Sequence, residues 1–356
     1  MPRYLVDLRP RVTERTPLLK IVSEPVVEKV TEASLAPAPL ETAGESEISL
    51  EEMLRAAQEE PPKQKRILIA GASGAIGYPL LGLAKDAGYW VRSLSKSRWR
   101  APKVSLLADE LWLRDAMDRD AIRGICQGAE VVISCLGGSL DPRVPEKRGF
   151  THLDFDANRH LLDEAVEAKV RRFVYVSVYG TKYSENSAFV RAHRRFENAL
   201  RDSGLEFTIL RFAGIHATPD ALISNAREGY RPIFGDNHSR TNPIHPADAA
   251  QICFEHLIQG PEVVEAGGPD ILTRRELSEM VSGYAGVTPK PYRMPAVLQR
   301  LTSGLTRPFN PRKANLREFA FRASRADAIA PRVGTRSLSS YLLAHREAAS
   351  LAQETA

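Results

Sequence analysis

The sequence predicts an α/β fold: a doubly wound parallel sheet with a small C-terminal subdomain and a disordered N-terminal tail. Three observations carry this. The apolar run Arg66-Ile-Leu-Ile-Ala70 breaks into Gly71, Gly74 and Gly77 and then into a segment with a helical apolar stripe. Strand-like and helix-like segments alternate from there to about residue 211. The first sixty or so residues share neither pattern.

Residues 1–63 read as a mostly disordered tail. Arg3, Arg9, Arg11, Arg15 and Lys20 make its start basic, Ala36-Pro-Ala-Pro39 interrupts it, and Glu41, Glu45, Glu47, Glu51, Glu52, Glu59 and Glu60 make its end acidic. Such a segment buries too little apolar surface to fold alone and is suited to binding a protein partner. Ser49 to Gln58 is the exception, a short helix with Ser49 as N-cap. The arginines resemble a transit segment, but Asp7 and Glu14 interrupt them and no apolar stretch follows. A cytoplasmic protein is therefore expected, with organelle targeting as the alternative. No run of about 18 apolar residues predicts a membrane span. Cys126, Cys135 and Cys253, odd in number and set in apolar stretches, read as buried free thiols without metal spacing.

The core is expected over residues 64–210. Its strands are Ile67–Ala70, Trp90–Leu94, Glu110–Leu113, Glu130–Cys135, Arg172–Ser177 and Phe207–Arg211. Helices fall between them: one over Asp118–Cys126, one over Asp156–Ala168 with Leu161, Leu162, Ala165 and Val166 on one face, and one over Ala188–Ser203. Repeated β–α units give a parallel sheet with helices on both faces. Residues 211–345 then form a substrate subdomain interleaved with the last core strands. Its expected helices are Ile223–Gly229 and Leu277–Ala285, its strand is Glu262–Glu265, and Ser337–Ala352 is a terminal helix. His245 and Asp248 open a helix over Ala249–Ile258 as a packing motif. Leu298, Leu301, Leu305 and Phe309 suggest an apolar helix that lines a pocket, packs internally or joins a partner; the nearby Arg307, Arg312, Lys313 and Arg317 suit an anionic group or lipid surface, with a solvated basic face as the commoner outcome.

The loop Gly71-Ala-Ser73-Gly74-Ala75-Ile76-Gly77 is a dinucleotide-binding signature. One glycine permits the turn, one lets backbone approach a pyrophosphate, and one allows a helix to pack on the strand. The helix N-terminus then meets the phosphates with free N–H groups. Ligands of such sheets lie at the carboxyl ends of the strands. Gly71, Ser95, Cys135, Ser177 and Arg211 should converge there, with Leu136 and Gly137 following Cys135. The second strand ends in Ser95, Lys96, Ser97 and Arg98 without the acid that binds an NAD ribose. Ser95, Lys96 and Arg98 suit a 2′-phosphate, so NADP(H) is expected over NAD(H). The alternative is that Arg92, Lys96, Arg98 and Arg100 are solvated surface charge. Asp115 is placed to accept from the adenine amino group, or to cap a helix. The net charge of +5 suits an anionic cofactor; no aromatic-studded basic stripe for nucleic acid is seen.

Several motifs together resemble the atypical short-chain dehydrogenases/reductases. They are Gly71-Ala-Ser-Gly-Ala-Ile-Gly77, Val131-Val-Ile-Ser-Cys-Leu-Gly137, Phe173-Val-Tyr-Val-Ser177, Ser203-Gly-Leu205 with Ile209-Leu-Arg211, and Asn242-Pro-Ile-His-Pro-Ala-Asp248. Gly267-Gly-Pro269, with Leu272-Thr-Arg-Arg-Glu276 after it, is similar to the divinyl chlorophyllide vinyl reductases and their bacterial relatives. The resemblance runs from about Lys65 to about Tyr341 and implies an extended Rossmann fold.

What it implies for catalysis departs from the family. Typical members carry Tyr-x-x-x-Lys on the helix after the fifth strand, the tyrosine as proton donor and the lysine on the ribose. Here Phe189 and His193 hold those positions. The resemblance leaves Ser177, Tyr179, Tyr183 and His193 as candidate catalytic groups, with His193 also a candidate ribose ligand, and gives Asn158 a structural role. Three functions are expected in descending order: a reductase on an unknown small or apolar substrate without the usual dyad, a non-catalytic NADP(H)-sensing regulator, and a structural or assembly subunit of a larger complex.

Overall fold

The computed structural model describes residues 65–141, 143–229, 238–288 and 296–354. The expected tail and its Ser49–Gln58 helix lie outside the described residues.

Seven parallel strands form the sheet: β1 Arg66–Ala70, β2 Trp90–Ser95, β3 Glu110–Leu113, β4 Val131–Ser134, β5 Arg172–Val178, β6 Glu206–Phe212 and β8 Val263–Ala266, in the order β3-β2-β1-β4-β5-β6-β8. A small antiparallel pair, β7 Arg240–Thr241 with β9 Leu272–Thr273, stands apart. Period-two alternation sends Ile67 and Ile69 to one face and Leu68 and Ala70 to the other, so each face carries its own core. Helices α1 Gly77–Asp86, α2 Ala101–Ser105 and α6 Pro246–Glu255 cover the first face through Leu80, Leu81, Val104, Ile252 and Cys253. Helices α3 Ala157–Glu167 and α4 Ala188–Arg201 cover the second through Leu161, Leu162, Phe196 and Leu200.

The structure corrects the expected elements at three places. The helix expected over Asp118–Cys126 is only a short turn, Asp120–Ile122, because the chain leaves the helical path at Arg123, with a ψ of 128°, and Gly124 follows with a φ of 77°. The strand expected in the subdomain is β8, the seventh strand of the main sheet. Val263 and Val264 are β-branched, β6 has a free edge, and Ile209 N–H donates to Glu262 O at 2.8 Å just before the pairing starts. Val166, expected on the buried face of α3, is 42% exposed, one position beyond the buried stripe.

The C-terminal part packs as α5 Pro219–Arg227, α7 Arg274–Ala285, α8 Ala296–Thr306, α9 Pro311–Ala323 and α10 Leu338–Glu354. α7 starts at Thr273 in a reciprocal capping box with Glu276 and ends at Gly286 in the left-handed conformation. Asn242 is fully buried and joins three chain segments: its amide donates to Gly268 O (3.2 Å) and Ala330 O (2.9 Å), and its Oδ1 accepts from Ala330 N–H (3.0 Å). Asp248 accepts from the backbone N–H groups of Thr335 and Arg336, each at 2.8 Å, while His245 caps α6 through Ala247 N–H. The His245–Asp248 pair therefore fastens the C-terminal segment to the sheet domain.

Replacing Asn242 by Ala should lower the unfolding free energy by roughly 2 to 4 kcal/mol, since buried backbone partners would lose their hydrogen bonds. Urea denaturation of the two proteins measures this, and a loss below about 1 kcal/mol would show that water replaces the amide.

Candidate dinucleotide site

The crevice opens where strand order reverses. β1 lies between β2 and β4, so the connections leaving β1 and β4 depart to opposite faces of the sheet. Ala70 pairs with Ser134 in register, which sets Gly71 directly beside Cys135. Gly71 takes a φ of 81°, and a Cβ there would lie 2.8 Å from the Cys135 carbonyl oxygen. A Cβ on Gly74 would lie 3.0 Å from Gly71 O, and one on Gly77 would collide with that same oxygen. Ala75 is exposed on the loop and Ile76 is buried beneath it. α1 begins at Gly77, with Ile76 as an N-cap that offers no side-chain bond and with no acid in its first turn. Its N-terminal N–H groups and positive dipole end face the crevice, as an anionic diphosphate requires. The glycine cradle and the uncapped helix fit a dinucleotide.

The ribose end is more built than its sequence suggests. Ser95 is 2% exposed, and its hydroxyl donates to Ser73 Oγ at 2.7 Å, tying β2 to the glycine loop. Its role in the structure is to hold the loop, while Lys96 and Arg98 are exposed beyond it. Arg100 returns to the loop and donates from Nη1 to Ser73 O at 2.9 Å. Arg92 leaves this group: it holds Glu110 and the carbonyls of Ile125 and Gln127. Lys96 Nζ lies 3.6 Å from Glu146 Oε2, and Glu146 pairs with Arg148 at 2.8 Å, a contact that holds its carboxyl at about 2. Arg148 also reaches Asp115 at 3.2 Å, and Asp115 accepts from Met117 N–H, so both Asp115 oxygens have protein partners.

Two buried polar clusters lie behind the other half of the crevice. In one, Glu197, fully buried on α4, accepts from Ser177 Oγ (2.7 Å), from Arg194 (2.5 Å) and from Nε and Nη2 of Arg211 (3.1 and 2.6 Å). Burial alone would raise its pKa, but the bonds from Arg211 and Ser177 and the two guanidinium charges hold it below the usual value. Arg211 also reaches Glu265 on β8 at 3.3 Å.

In the other cluster, Tyr175 OH lies 2.6 Å from His193 Nδ1, and His193 Nε2 lies 3.4 Å from Asp154 Oδ1. With the phenol donating to Nδ1, the N–H on Nε2 points at the carboxyl group. Burial drives His193 down to about 3 and Asp154 up to about 7, so near neutral pH His193 is uncharged and Asp154 is about half protonated. Asp154 Oδ1 accepts from Gly138 N–H at 2.9 Å, whereas its Oδ2 is buried without a hydrogen-bond partner.

Phe189 stands one helical turn before His193, 7% exposed, with its ring edge-on to His193, Phe150 and Phe319 at 4.8 to 4.9 Å between centroids. Tyr179 is half-buried at the end of β5, its N–H bonded to Phe212 O. Tyr183 is 40% exposed beneath the cations Lys182 and Arg325. The fold thus gathers Gly71, Ser73, Gly74, Ser95, Cys135, Leu136 and Gly137 at the switch point. It gives His193, Ser177 and Arg211 internal partners. Asn158 is buried and bonds Ser134 and the carbonyls of Leu136 and Asp154, a structural role.

Asp154, Glu146 and Arg100 escape sequence reasoning. Asp154 is turned inward by a wide helical turn, Thr151–Asp156, that precedes α3. Arg100 is one basic residue among four near the end of β2, and only its loop contact distinguishes it.

Between about pH 4 and about pH 6.5, folded Asp154 holds a proton that the unfolded chain has released, so its contribution to stability falls as pH rises. Over the same window unfolded His193 is charged and folded His193 is not, so its contribution rises and the two slopes oppose. Asp154→Asn removes the first slope. Its stability relative to the parent should climb with pH by about 1.4 kcal/mol per unit between about pH 4 and about pH 6. Urea unfolding at those two values reads it out, and a flat difference would mean that Asp154 is ionised when folded.

Comparison with known proteins agrees with this geometry. A family model described as NAD(P)H-binding matches residues 71–259. Among curated proteins, the chain is 28% identical over 195 residues to the mitochondrial NADH dehydrogenase [ubiquinone] 1 alpha subcomplex subunit 9 of Arabidopsis thaliana, covering 51% of this chain and 47% of that protein. It is 26% identical over 229 residues to the (4-alkanoyl-5-oxo-2,5-dihydrofuran-3-yl)methyl phosphate reductase of Streptomyces griseus, covering 62% and 74%. The chain spans less than half the length of the first curated relatives it matches. A Staphylococcus aureus structure described as a nucleoside-diphosphate-sugar epimerase shares the fold, with a TM-score of 0.60 at 15% identity over 78% of this chain and 99% of that one. With a glycine cradle at the switch point of a seven-stranded parallel sheet, the chain belongs to the NAD(P)H-binding family and is an atypical short-chain dehydrogenase/reductase.

Proposed function

We propose that the chain is an NADP(H)-dependent reductase of a small or apolar acceptor that needs no tyrosine proton donor at the hydride step. The observation that carries this reading is the buried phenyl ring of Phe189 where the family's donor stands. A bound nicotinamide supplies the hydride. An electron-poor alkene suits such a site: hydride adds to the carbon β to a carbonyl, the electron pair moves to the carbonyl oxygen, and the α carbon takes a proton afterwards. Tyr179 and Tyr183, on the segment following β5, are the donors proposed for that later step. The Streptomyces griseus relative, by its name a reductase of a dihydrofuranone, supports this substrate class.

The preference for NADP(H) rests on Lys96 and Arg98, joined by Arg100 at the glycine loop. Glu146 lies beside Lys96 and moderates its charge. A second reading is an NADP(H)-holding subunit without turnover. It is favoured by the internal commitments of Ser177 and His193 and by the relative named as an NADH dehydrogenase subunit.

NADPH oxidation in the presence of a conjugated enone or butenolide tests the first reading; tight NADPH binding with no turnover across such acceptors gives the second. Lys96→Glu with Arg98→Glu should weaken NADPH binding by about 10- to 100-fold and leave NADH binding nearly unchanged, on the strength of charge-assisted hydrogen bonds. Equal losses for the two cofactors, by fluorescence titration, would refute the phosphate assignment.

A further inference from the structure

Over residues 301–309, the end of helix α8 and the turn after it, the hydroxyl-bearing side chains face inward and the apolar ones outward. Ser303 is 6% exposed, Thr302 and Thr306 are half-buried, and Thr306 Oγ1 donates to Thr302 O (2.6 Å) and accepts from Arg317 (3.1 Å). Leu301, Leu305 and Phe309 are 59%, 75% and 82% exposed, with exposed Gly304 and Pro308 between them. Positions 301, 304, 305, 308 and 309 fall on one helical stripe, which the turn after Thr306 prolongs through the bond from Arg307 N–H to Ser303 O. An amphipathic helix in a soluble body turns the opposite way, and a contiguous exposed apolar ridge marks a contact surface.

The charge around the ridge is one-sided. Residues 296–325 contain seven arginines and lysines and a single acid, Glu318, which is already shared by Arg307 and Arg322. Arg312 is turned inward onto the carbonyls of Ser139, Asp141 and Val144, so its charge does not serve the surface. Arg307, paired with Glu318, and Lys313 remain exposed within four residues of Phe309 in the chain, while Arg325 lies over the rings of Tyr183 and Phe321. Apolar side chains followed in the chain by exposed cations fit a contact that is greasy inside and anionic at its edge.

We propose that α8 and the turn after it dock on an anionic lipid bilayer, with Leu301, Leu305 and Phe309 entering the interface and Arg307 and Lys313 resting among the headgroups. Such a helix lies in the membrane plane, held by apolar burial plus attraction to anionic lipid. Its eleven residues reach about 16 Å, too short to span.

The test is flotation of the full chain with vesicles of phosphatidylcholine alone and of phosphatidylcholine with phosphatidylglycerol. The protein should rise with the anionic vesicles, stay below the neutral ones, and be released by high salt. Leu305→Glu with Phe309→Glu should cut the bound fraction on anionic vesicles about tenfold, with NADPH affinity unchanged. That variant keeps residues 1–63, so any vesicle binding by the basic start of the chain persists as background. Failure of the parent protein to float on anionic vesicles, or equal flotation of the variant, would overturn the proposal. So would a parent dimer, seen by light scattering, that the same substitutions convert to monomer without any vesicle binding; the ridge would then belong to a second copy.

Discussion

Everything at the carboxyl edge of the sheet depends on how closely two stretches of backbone approach. The loop leaving β1 runs against the Cys135 carbonyl with no room for a side-chain carbon at Gly71, and α1 sits on Gly71 with none at Gly77. That spacing brings an uncapped helix N-terminus to the reversal point of the strand order. Any larger residue would push the helix off the strand and close the place where phosphate meets N–H groups. Ser95 and Arg100 then secure the loop from the β2 side, through Ser73 Oγ and Ser73 O respectively.

The opposite half of the crevice follows a different logic. There the chain invests in two buried polar clusters instead of presented reactive groups. Glu197 is a buried charge with its lone pairs taken by a serine and two arginines, a complete arrangement that is costly to disturb. Tyr175, His193 and Asp154 form a chain that ends on an unpartnered carboxyl oxygen. Phe189 seals one side of that chain with aromatic edges. His193, drawn into this interior, supports the wall behind the cleft.

Much of the fold was legible because buried parallel strands are written as short apolar runs. The expected limits of Glu110–Leu113 match β3, and the other core strands differ by a residue or two at their ends. The glycine loop was legible for the same local reason: turn, approach and packing each require a residue without Cβ. What escaped was set by tertiary context. Nothing local shows that Val263 and Val264 find the free edge of β6, or that Arg123 and Gly124 end a helix before it forms. Asp154 reads as one acid near a helix start, and only the wide turn that rotates it inward makes it a buried acid. His193 could be placed on its helix but not assigned partners, because Tyr175 and Asp154 come from a strand and a wide helical turn remote in sequence.

The strand order also bears on how the chain is made. Among the described residues β1 is the first strand to emerge, and it lies inside the sheet, third of seven in the strand order. β2 and β3 then add outward on one side, and β4, β5, β6 and β8 add outward on the other, each to an edge that already exists. No strand must be threaded between two that are paired. A parallel sheet built from distant segments is intrinsically slow to form, yet here the order of synthesis is an order of assembly, and a ribosome delivering the N-terminal half first offers each new strand a finished template.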